Sequence, residues 1–489
     1  MHVEPDLSLR RWALRAAAAC LALWLALALI VPTSAQTRVD TRALLDQWLE
    51  GTGIAASDVG LYALPLNDDT PLLAHDSGQA FNPASTMKLV TTAAALSLLG
   101  PDYRWRTAAF LRGPLRDGVL QGDLVLRGGG DPRLLIEDLT AFIERMRATG
   151  LQDIRGNLVI DDARYDVGRD SVERFDLDLS QPYNVRPHAL LMNFKATRVA
   201  LRPGPGGAEV LLDPPLAGIP IDDGLRILRG RCTAGASDFA VRDDDTDLRG
   251  PRIRVTGRYA PACGERAGFV SVLSHRQFIG ALFRAAWSAA GGRWDGQTRV
   301  EPGAGQGDPW LEWVSPRNLA EVVHDINKFS NNVMARQVFL ELSAVQGAGA
   351  ATEARSRAVL DRWLRSEGLD LPGLFVENGS GLSRIERISA AALARLLRHV
   401  AAGPHGELLR ASLPVVGIDG TMKRRLVDEP VAGNAWIKTG SLADVRAIAG
   451  YVDAVSGRRH AVVFVVNGPR VGGAALAQDR FLRWIQAHG

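Results

Sequence analysis

Asn82-Pro83-Ala84-Ser85-Thr86-Met87-Lys88-Leu89-Val90 is the segment from which the architecture of this chain can be inferred, and an Ala-rich run, Thr91 to Leu96, follows it. A hydroxyl and an amine three residues apart lie on one face of a helix. Serine alone is a weak nucleophile, and a lysine that loses its proton can activate it. The apolar run predicts a buried helix, and burial would lower the pKa of the Lys88 amine towards neutrality.

Two later segments complete a set with Ser85 and Lys88. Ser330-Asn331-Asn332 precedes an apolar helical pattern, and Lys438-Thr439-Gly440 follows Trp436 and Ile437. A Ser-x-x-Lys pair by itself is common, and it is usually an exposed lysine one turn after an N-cap serine. Ser-x-x-Lys, Ser-x-Asn and Lys-Thr-Gly in this order, however, match the signature set of penicillin-binding proteins and active-site-serine β-lactamases.

The composition is that of a globular chain with more than one domain. Its 489 residues are 46% hydrophobic and 23% charged, and two to four cores are expected for this length. The net charge of +3 gives no argument for a nucleic acid partner. The nine histidines are scattered and form no His-Glu-x-x-His motif, so neither a metal nor another cofactor is predicted.

Residues 1–35 are predicted to be a secretory signal peptide. Arg10, Arg11 and Arg15 form a positive segment, Ala16 to Val31 is apolar, and small residues precede a cleavage site after Ala35. An uncleaved anchor is the alternative, but the apolar run is short for a membrane span. A periplasmic location follows, with no stable membrane span after cleavage.

The cysteines predict one structural disulfide. Cleavage removes Cys20 and leaves Cys232 and Cys263 in an exported chain, where a pair of cysteines is usually oxidised. Two buried free thiols are the alternative. Both residues lie far from the three motifs along the chain.

The catalytic motifs flank a long middle region. Lys88 and Ser330 are about 240 positions apart, although a single active site needs their side chains close together. Short β-like runs separated by Gly, Pro and Asp fill the region between them. The sequence therefore predicts one catalytic domain interrupted by β-rich inserted domains. The predicted parts are the catalytic domain (36–100 and 276–489), inserted domain II (101–175 and 251–275) and inserted domain III (176–250).

Periodicity gives the elements of the catalytic domain. Predicted strands cover 59–64, 71–75, 436–438, 447–452 and 460–466. Predicted helices cover 276–290, 318–342, 353–367, 389–402 and 474–487. The last of these is amphipathic and carries no basic stripe, which indicates packing in a core rather than on a membrane.

The motif residues suit acyl transfer. Ser85 would attack a carbonyl while neutral Lys88 takes its proton. Ser330 would pass a proton towards the leaving amine, and Asn332 would hold an amide of the substrate.

The Lys-Thr-Gly segment suits recognition of a terminal carboxylate. Lys438 would supply a fixed positive charge and lower the pKa of Lys88, and Thr439 would add a hydroxyl. Gly440 would let an edge strand approach the substrate closely. The backbone N–H groups of Ser85 and Ser441 would form the oxyanion hole.

With these motifs, the chain resembles the class C low-molecular-mass penicillin-binding proteins, the D-alanyl-D-alanine carboxypeptidase/endopeptidase family. The long insert after Ser-x-x-Lys is itself typical of that family. The resemblance implies an α/β catalytic domain, in which a five-stranded antiparallel sheet lies between helices, with two inserted domains. Further similar segments are Gly128-Gly129-Gly130-Asp131-Pro132, Ile160-Asp161-Asp162, Glu377 to Arg384 and Gly417 to Met422.

The resemblance also implies an activity and its partners. The expected substrates are peptidoglycan stem peptides ending in D-Ala-D-Ala and D-Ala–diaminopimelate cross-links, and β-lactams are the expected covalent inhibitors. By motif, Asp161 and Arg384 would contact diaminopimelate. Ala443 stands where some relatives have Gln, which leaves the third residue of the stem peptide open. Family analogy alone admits a homodimer. A serine β-lactamase and a non-catalytic wall-binding or β-lactam-sensing protein are the alternative functions.

Overall fold

Strands from both ends of the chain form one five-stranded antiparallel sheet, which we call the catalytic sheet. Each neighbouring pair in it is antiparallel. The predicted strands are therefore present, within a few residues at their ends. In spatial order the strands are Leu73–His75, Val59–Pro65, Arg459–Asn467, Val445–Asp453 and Ala435–Leu442.

The computed structural model describes residues 39–167, 175–176, 178, 180–243, 251–346 and 349–489. The predicted signal peptide lies outside these residues. Thr41–Gly489 form one unit, to which the description below refers. Within the described part of the chain, every helix is too short or too polar to cross a membrane.

Helices cover both faces of the catalytic sheet. On one face the Tyr451 hydroxyl donates a hydrogen bond to the Leu397 carbonyl oxygen at 2.8 Å. On the other, the ring of Phe464 lies 5.5 Å from that of Phe481, which in turn contacts Trp48 at 5.6 Å. The C-terminal helix thus packs in the core, as its amphipathic pattern predicts. The helices of this domain are Thr41–Leu49, Lys88–Leu99, Leu319–Phe329, Asn332–Gln346, Glu353–Ser366, Ala390–Ala402, Gly406–Ser412 and Ala474–His488.

The helix that begins at Lys88 lies inside this domain. Every residue from Lys88 to Leu96 is buried, on all sides of the helix. A helix that is apolar all round belongs in a core rather than on a surface. Lys88 is the charged exception, so its amine is held away from water.

The prediction of one continuous helix over 318–342 is wrong in one respect, because the helix is interrupted at Ser330. One helix ends at Phe329, Ser330 has a left-handed backbone with φ of 59°, and the next helix begins at Asn332. A left-handed residue is a common way to end a helix and turn the chain. Apolar periodicity continues across the turn, which is why the pattern alone does not show it.

The insert has its own hydrophobic core, built around helices Ile136–Ala148 and His275–Ala289. A mixed five-stranded sheet and a small four-stranded sheet belong to this part. The five-stranded sheet has the order Thr298–Val300, Leu158–Asp161, Asp123–Arg127, Arg106–Arg112 and Leu311–Val314; the four-stranded sheet has the order Arg293–Trp294, Asp153–Ile154, Val119–Leu120 and Leu115–Arg116.

Two domain boundaries differ from the sequence prediction. Residues 276–314, predicted to be catalytic, contribute strands to the insert sheets and a helix to the insert core. Residues 253–270, predicted to belong to domain II, pair with strands of the predicted domain III. These strands form two three-stranded sheets: Glu209–Asp213, Thr197–Arg202 and Arg266–Val270; and Ile221–Ile227, Ile253–Tyr259 and Phe239–Asp243. Strand pairing decides both boundaries, and spacing along the chain does not reveal it.

Cys232 and Cys263 are joined by a disulfide bond. They follow the parallel strands Ile221–Ile227 and Ile253–Tyr259, so the bond ties together the ends of two paired strands. Its place within this three-stranded sheet makes the bond structural.

Candidate active site

Ser85 lies in a short 3-10 turn, Ala84–Met87, that runs directly into the helix beginning at Lys88. This right-handed winding places Ser85 Oγ 3.0 Å from Lys88 Nζ. Asn82 fixes the start of the turn. Its Oδ1 accepts the Ala84 N–H at 2.9 Å, and its Nδ2 donates to the Ser383 carbonyl at 2.8 Å.

The Lys88 amine has three hydrogen-bonding partners, and it can donate to each of them. The partners are Ser85 Oγ, Asn332 Oδ1 at 2.7 Å and the carbonyl oxygen of Ser380. The amide and carbonyl oxygens can only accept, so the amine donates to both. When protonated, the amine can donate to all three partners, including Ser85 Oγ. When neutral, it has two N–H groups for the two obligate acceptors and one lone pair that can accept the Ser85 hydroxyl proton.

The surroundings favour that neutral form. Burial lowers the pKa of Lys88 well below its usual range, and the nearby charges of Lys438 and Arg336 lower it further. The carboxylate of Glu386 opposes them by raising the pKa. Burial is the largest of these effects, and Lys88 is completely buried.

Ser330 and Lys438 form a second serine–lysine pair. The left-handed turn at Ser330 directs its Oγ to Lys438 Nζ at 2.8 Å, and Lys438 also donates to the Thr439 carbonyl oxygen at 2.8 Å. Burial lowers the pKa of Lys438 to about 7. Burial therefore weakens the hold of Lys438 on the positive charge that the sequence assigns to it.

The Lys-Thr-Gly strand, Ala435–Leu442, is the edge of the catalytic sheet and lies directly against the Ser85 turn. A Cβ atom on Gly440 would stand 2.8 Å from the Pro83 carbonyl oxygen and 2.9 Å from the Ser85 nitrogen. Only glycine permits this approach, which brings the Lys-Thr-Gly strand against the backbone nitrogen of Ser85. Gly440, the residue before Ser441, thus lies beside one member of the predicted oxyanion-hole pair, and the pair itself stays a prediction.

Two threonine hydroxyls meet beside this strand. Thr439 Oγ1 lies 2.8 Å from Thr421 Oγ1, and Thr421 is exposed. The turn that carries Thr421 is anchored by Asp419, whose carboxylate accepts from the buried Lys328 amine at 2.9 and 3.0 Å. Both hydroxyls can donate to a carboxylate that enters from solvent.

Arg384 lies near the end of the Lys-Thr-Gly strand. Its guanidinium is 3.1 Å from the carboxylate of Asp444 and stands over the ring of Phe175, 4.6 Å from its centre. The side chain keeps 45% of its surface exposed, so it remains accessible to a ligand.

Among the described residues, the contacts of the Asp161 carboxylate are with backbone N–H groups of the insert. Asp161 is buried, one carboxylate oxygen accepts N–H groups of Gly303 and Ala163, and the other accepts the N–H of Gly305. These N–H groups tie the carboxylate to an insert loop, and the contact with diaminopimelate that the motif resemblance implies stays a prediction. A strand end followed by a turn is the local pattern that accounts for the hydrogen bond with Ala163.

Sequence reasoning missed three contributors to the site. The Ser380 carbonyl, the Thr421 hydroxyl and the Glu386 carboxylate have no signature that a motif records. Two of them lie in the segments Glu377 to Arg384 and Gly417 to Met422, whose resemblance to the family was the only available signal. Among the described residues, no group of three His, Cys, Asp or Glu side chains could hold a metal ion.

A family model described as the D-Ala-D-Ala carboxypeptidase 3 (S13) family matches residues 41–482. The chain belongs to this family. Membership confirms the recognition made from the motifs and the predicted class of enzyme, a serine-type D-Ala-D-Ala carboxypeptidase.

Curated relatives and solved structures agree with the family. A D-alanyl-D-alanine carboxypeptidase of Actinomadura sp. (strain R39) is 29% identical over 459 residues, which is 90% of this chain and 82% of the relative. D-alanyl-D-alanine carboxypeptidase DacB of Haemophilus influenzae is 23% identical over 425 residues, or 85% of this chain and 86% of the relative.

The crystal structure of penicillin binding protein 4 (dacB) from Haemophilus influenzae matches with a TM-score of 0.79 at 21% identity, covering 92% of this chain and 100% of that one. A second structure of that protein, complexed with a β-lactam, matches with a TM-score of 0.74. These likenesses confirm the predicted fold class, a penicillin-binding-type α/β fold.

Proposed function

We propose that this family member is a periplasmic DD-peptidase that works through an acyl-enzyme on Ser85. Its substrates would be peptidoglycan stem peptides ending in D-Ala-D-Ala and D-Ala–diaminopimelate cross-links. The observation that carries the proposal is the set of partners of Lys88, because two donated hydrogen bonds leave one lone pair for the Ser85 hydroxyl.

In the first half of the reaction, Ser85 Oγ bonds to the carbonyl carbon of the penultimate D-Ala, and Lys88 accepts the hydroxyl proton. The oxyanion forms beside the N–H groups of Ser85 and Ser441. The C–N bond to the leaving residue then breaks. Its nitrogen gains the proton that Ser85 lost, with the Ser330 hydroxyl as the relay.

In the second half, water replaces the leaving amine. Lys88 takes a proton from the water as its oxygen adds to the ester carbon. The bond to Ser85 Oγ breaks and the serine regains a proton. The same base therefore serves both steps, which explains why one buried amine is held by three partners.

The terminal carboxylate of the substrate would bind at the Lys438 side. Lys438 offers positive charge, and Thr439 and Thr421 offer two hydroxyls 2.8 Å apart. An incoming carboxylate raises the pKa of Lys438 above 7 and so secures its charge. A β-lactam carries an equivalent carboxylate beside a strained amide, and it would acylate the same serine.

Export supports the assignment to the cell wall. The predicted signal peptide and the Cys232–Cys263 disulfide both suit an oxidising compartment. Arg384, exposed beside the strand end, is the charged side chain that we assign to the stem-peptide side chain.

The test is release of D-Ala from a synthetic pentapeptide ending in D-Ala-D-Ala, together with cleavage of a purified D-Ala–diaminopimelate cross-linked dimer. The mature protein should cleave the first and the second, and Ser85→Ala should cleave neither. A matched peptide ending in L-Ala should be left intact. If the unmutated protein releases no D-Ala, or if it hydrolyses nitrocefin rapidly instead, the proposal fails, and the latter result favours a β-lactamase.

A further inference from the structure

The carboxylate of Glu386 lies in a pocket made of backbone. Its Oε1 accepts three consecutive N–H groups, those of Glu377 at 3.1 Å, Asn378 at 3.0 Å and Gly379 at 2.9 Å. Glu386 is completely buried. Burial raises the pKa of Glu386, and the three convergent N–H groups oppose that shift, favour the charged form and fix the path of the loop around it.

That loop holds the catalytic amine. Immediately after the three donors, the Gly379 carbonyl accepts the Thr91 hydroxyl at 2.7 Å and the Ser380 carbonyl accepts Lys88 Nζ. Thr91 and Lys88 are three positions apart on one helix, so two successive carbonyls of the loop seat against one helix face. The position of the Ser380 carbonyl therefore depends on the carboxylate that organises the loop.

A buried guanidinium completes the arrangement. Arg336 is one helical turn beyond Asn332 and is 1% exposed. Its Nη1 donates to the Val185 carbonyl at 3.2 Å. Among the described residues, Arg336 Nε and Nη2 and Glu386 Oε2 have no hydrogen-bonding partner. Burial lowers the pKa of Arg336, and the carboxylates of Glu353 and Glu386 oppose that shift through the interior.

We propose that Glu386 is a positioning residue for Lys88: it holds the Ser380 carbonyl against the amine and, with Arg336, sets the electrostatic field in which Lys88 gives up its proton. This rests on the proposed role of Lys88 as the base for Ser85. Nothing in the three motifs assigns a function to either residue.

The groups that face Lys88 come from every element around it. Lys438 lies on the edge strand, Arg336 and the neutral Asn332 on the neighbouring helix, and Glu386 beneath the loop. The positive groups lower the pKa of Lys88 and the negative one raises it. Since neutral Lys88 is the reactive form, the acylation rate falls as the pH drops through this pKa, and we call this part of the pH profile the acidic limb. Removing the negative charge of Glu386 moves the acidic limb to lower pH, and removing the positive charge of Arg336 moves it to higher pH.

The experiment measures the second-order rate constant for acylation by nitrocefin between pH 4 and 9 in the mature protein and its variants. Glu386→Gln keeps an acceptor for the three N–H groups and removes the charge. We expect its acidic limb to move down by roughly 0.5–1 pH unit, with the basic limb unchanged. Arg336→Met should move the acidic limb in the opposite direction. Glu386→Asp keeps the charge but is one methylene shorter, and should slow acylation several-fold at an unchanged limb.

Acidic limbs that coincide in unmutated protein, Glu386→Gln and Arg336→Met would overturn the inference, as would limbs that move the same way. Because the two substitutions act with opposite sign, Arg336→Met decides the question if Glu386→Gln does not fold, and the reverse also holds. A purely structural role lowers the amount of folded protein without moving a pH profile. Absence of acylation in the unmutated protein would instead refute the proposed function.

Discussion

The candidate active site contains two pairs of a serine hydroxyl and a buried lysine, and the two pairs have different surroundings. Ser85 and Lys88 are 3.0 Å apart, and Ser330 and Lys438 are 2.8 Å apart. Burial is the largest cause of the lowered pKa at both lysines. At Lys88 the charges of Lys438 and Arg336 lower the pKa further, against the opposing carboxylate of Glu386, so that it falls well below the usual range, whereas the pKa of Lys438 stays at about 7. On the proposed function, the same two residue types therefore supply a base in one pair and a cation in the other.

Replacing the base should have the largest effect. Lys88→Arg keeps a positive charge but cannot become neutral, so Ser85 keeps a cation and loses its proton acceptor. We expect acylation by benzylpenicillin to slow by about 10³-fold or more, in line with the worth of general base catalysis. Stopped-flow or quenched-flow acylation rates provide the measurement. A rate within tenfold of the unmutated protein would show that Lys88 is not the base.

Moving the Lys-Thr-Gly strand away from Ser85 should lower the activity almost as much. Gly440→Ala places a Cβ atom against Pro83 and the Ser85 nitrogen, which forces the edge strand away from the nucleophile. A shift of about 1 Å in an active site can cost about 100-fold, so we expect a loss of that order in kcat/KM for D-Ala release.

Gly268→Ala is the matched control for this substitution, because nothing lies within 4 Å of a Cβ atom built there. It should keep full activity. Equal activity of both variants would mean that the strand approach at Gly440 is not needed.

The pH dependence of activity should reflect the ionisation of both Lys88 and Lys438. Activity needs neutral Lys88, so it falls as the pH drops through the lowered pKa of that amine. It also needs protonated Lys438, so it falls as the pH rises through a pKa of about 7, moved upward when the substrate carboxylate is bound. A bell-shaped profile of kcat/KM for the peptide is expected, with tenfold loss per pH unit outside the limits. A profile that rises steadily to pH 9 would contradict the cationic role of Lys438.

The smallest expected effect on activity comes from Thr421, which we propose helps to bind the terminal carboxylate of the substrate. Thr421→Val removes one of two hydroxyls, and we expect KM for a peptide ending in a free carboxylate to rise about tenfold with little change in kcat. Thr421→Ser should behave like the unmutated protein. The same peptide with a C-terminal amide should not distinguish Thr421→Val from Thr421→Ser. If it does, Thr421 has a role other than carboxylate binding.

Much of this molecule could be predicted from its sequence, because its motifs are local. Ser85 and Lys88 are linked by one helical turn, and the strands of the catalytic sheet alternate or are uniformly apolar, so their positions follow from short-range pattern. The turn at Ser330 could not be predicted, since apolar spacing continues across it from Val323 to Val333.

The parts of the site that could not be predicted from the sequence share a physical reason, which is that they depend on contacts outside the local pattern. Ser380 contributes a backbone carbonyl, which every residue has, and its position depends on a carboxylate six residues further on. Asp161 has the residue type of a ligand, but it is buried, and two of its three backbone partners, Gly303 and Gly305, are distant in sequence. The insert boundaries likewise depend on which strands pair.

The most direct test of the central claim is the intact mass of the mature protein after incubation with benzylpenicillin, followed by peptide mapping, beside Ser85→Ala and Lys88→Arg. We expect one penicilloyl group per chain, located on the peptide that contains Ser85, absent from Ser85→Ala and formed very slowly in Lys88→Arg. An adduct that persists in Ser85→Ala, or intact penicillin with no adduct on the unmutated protein, would contradict the claim.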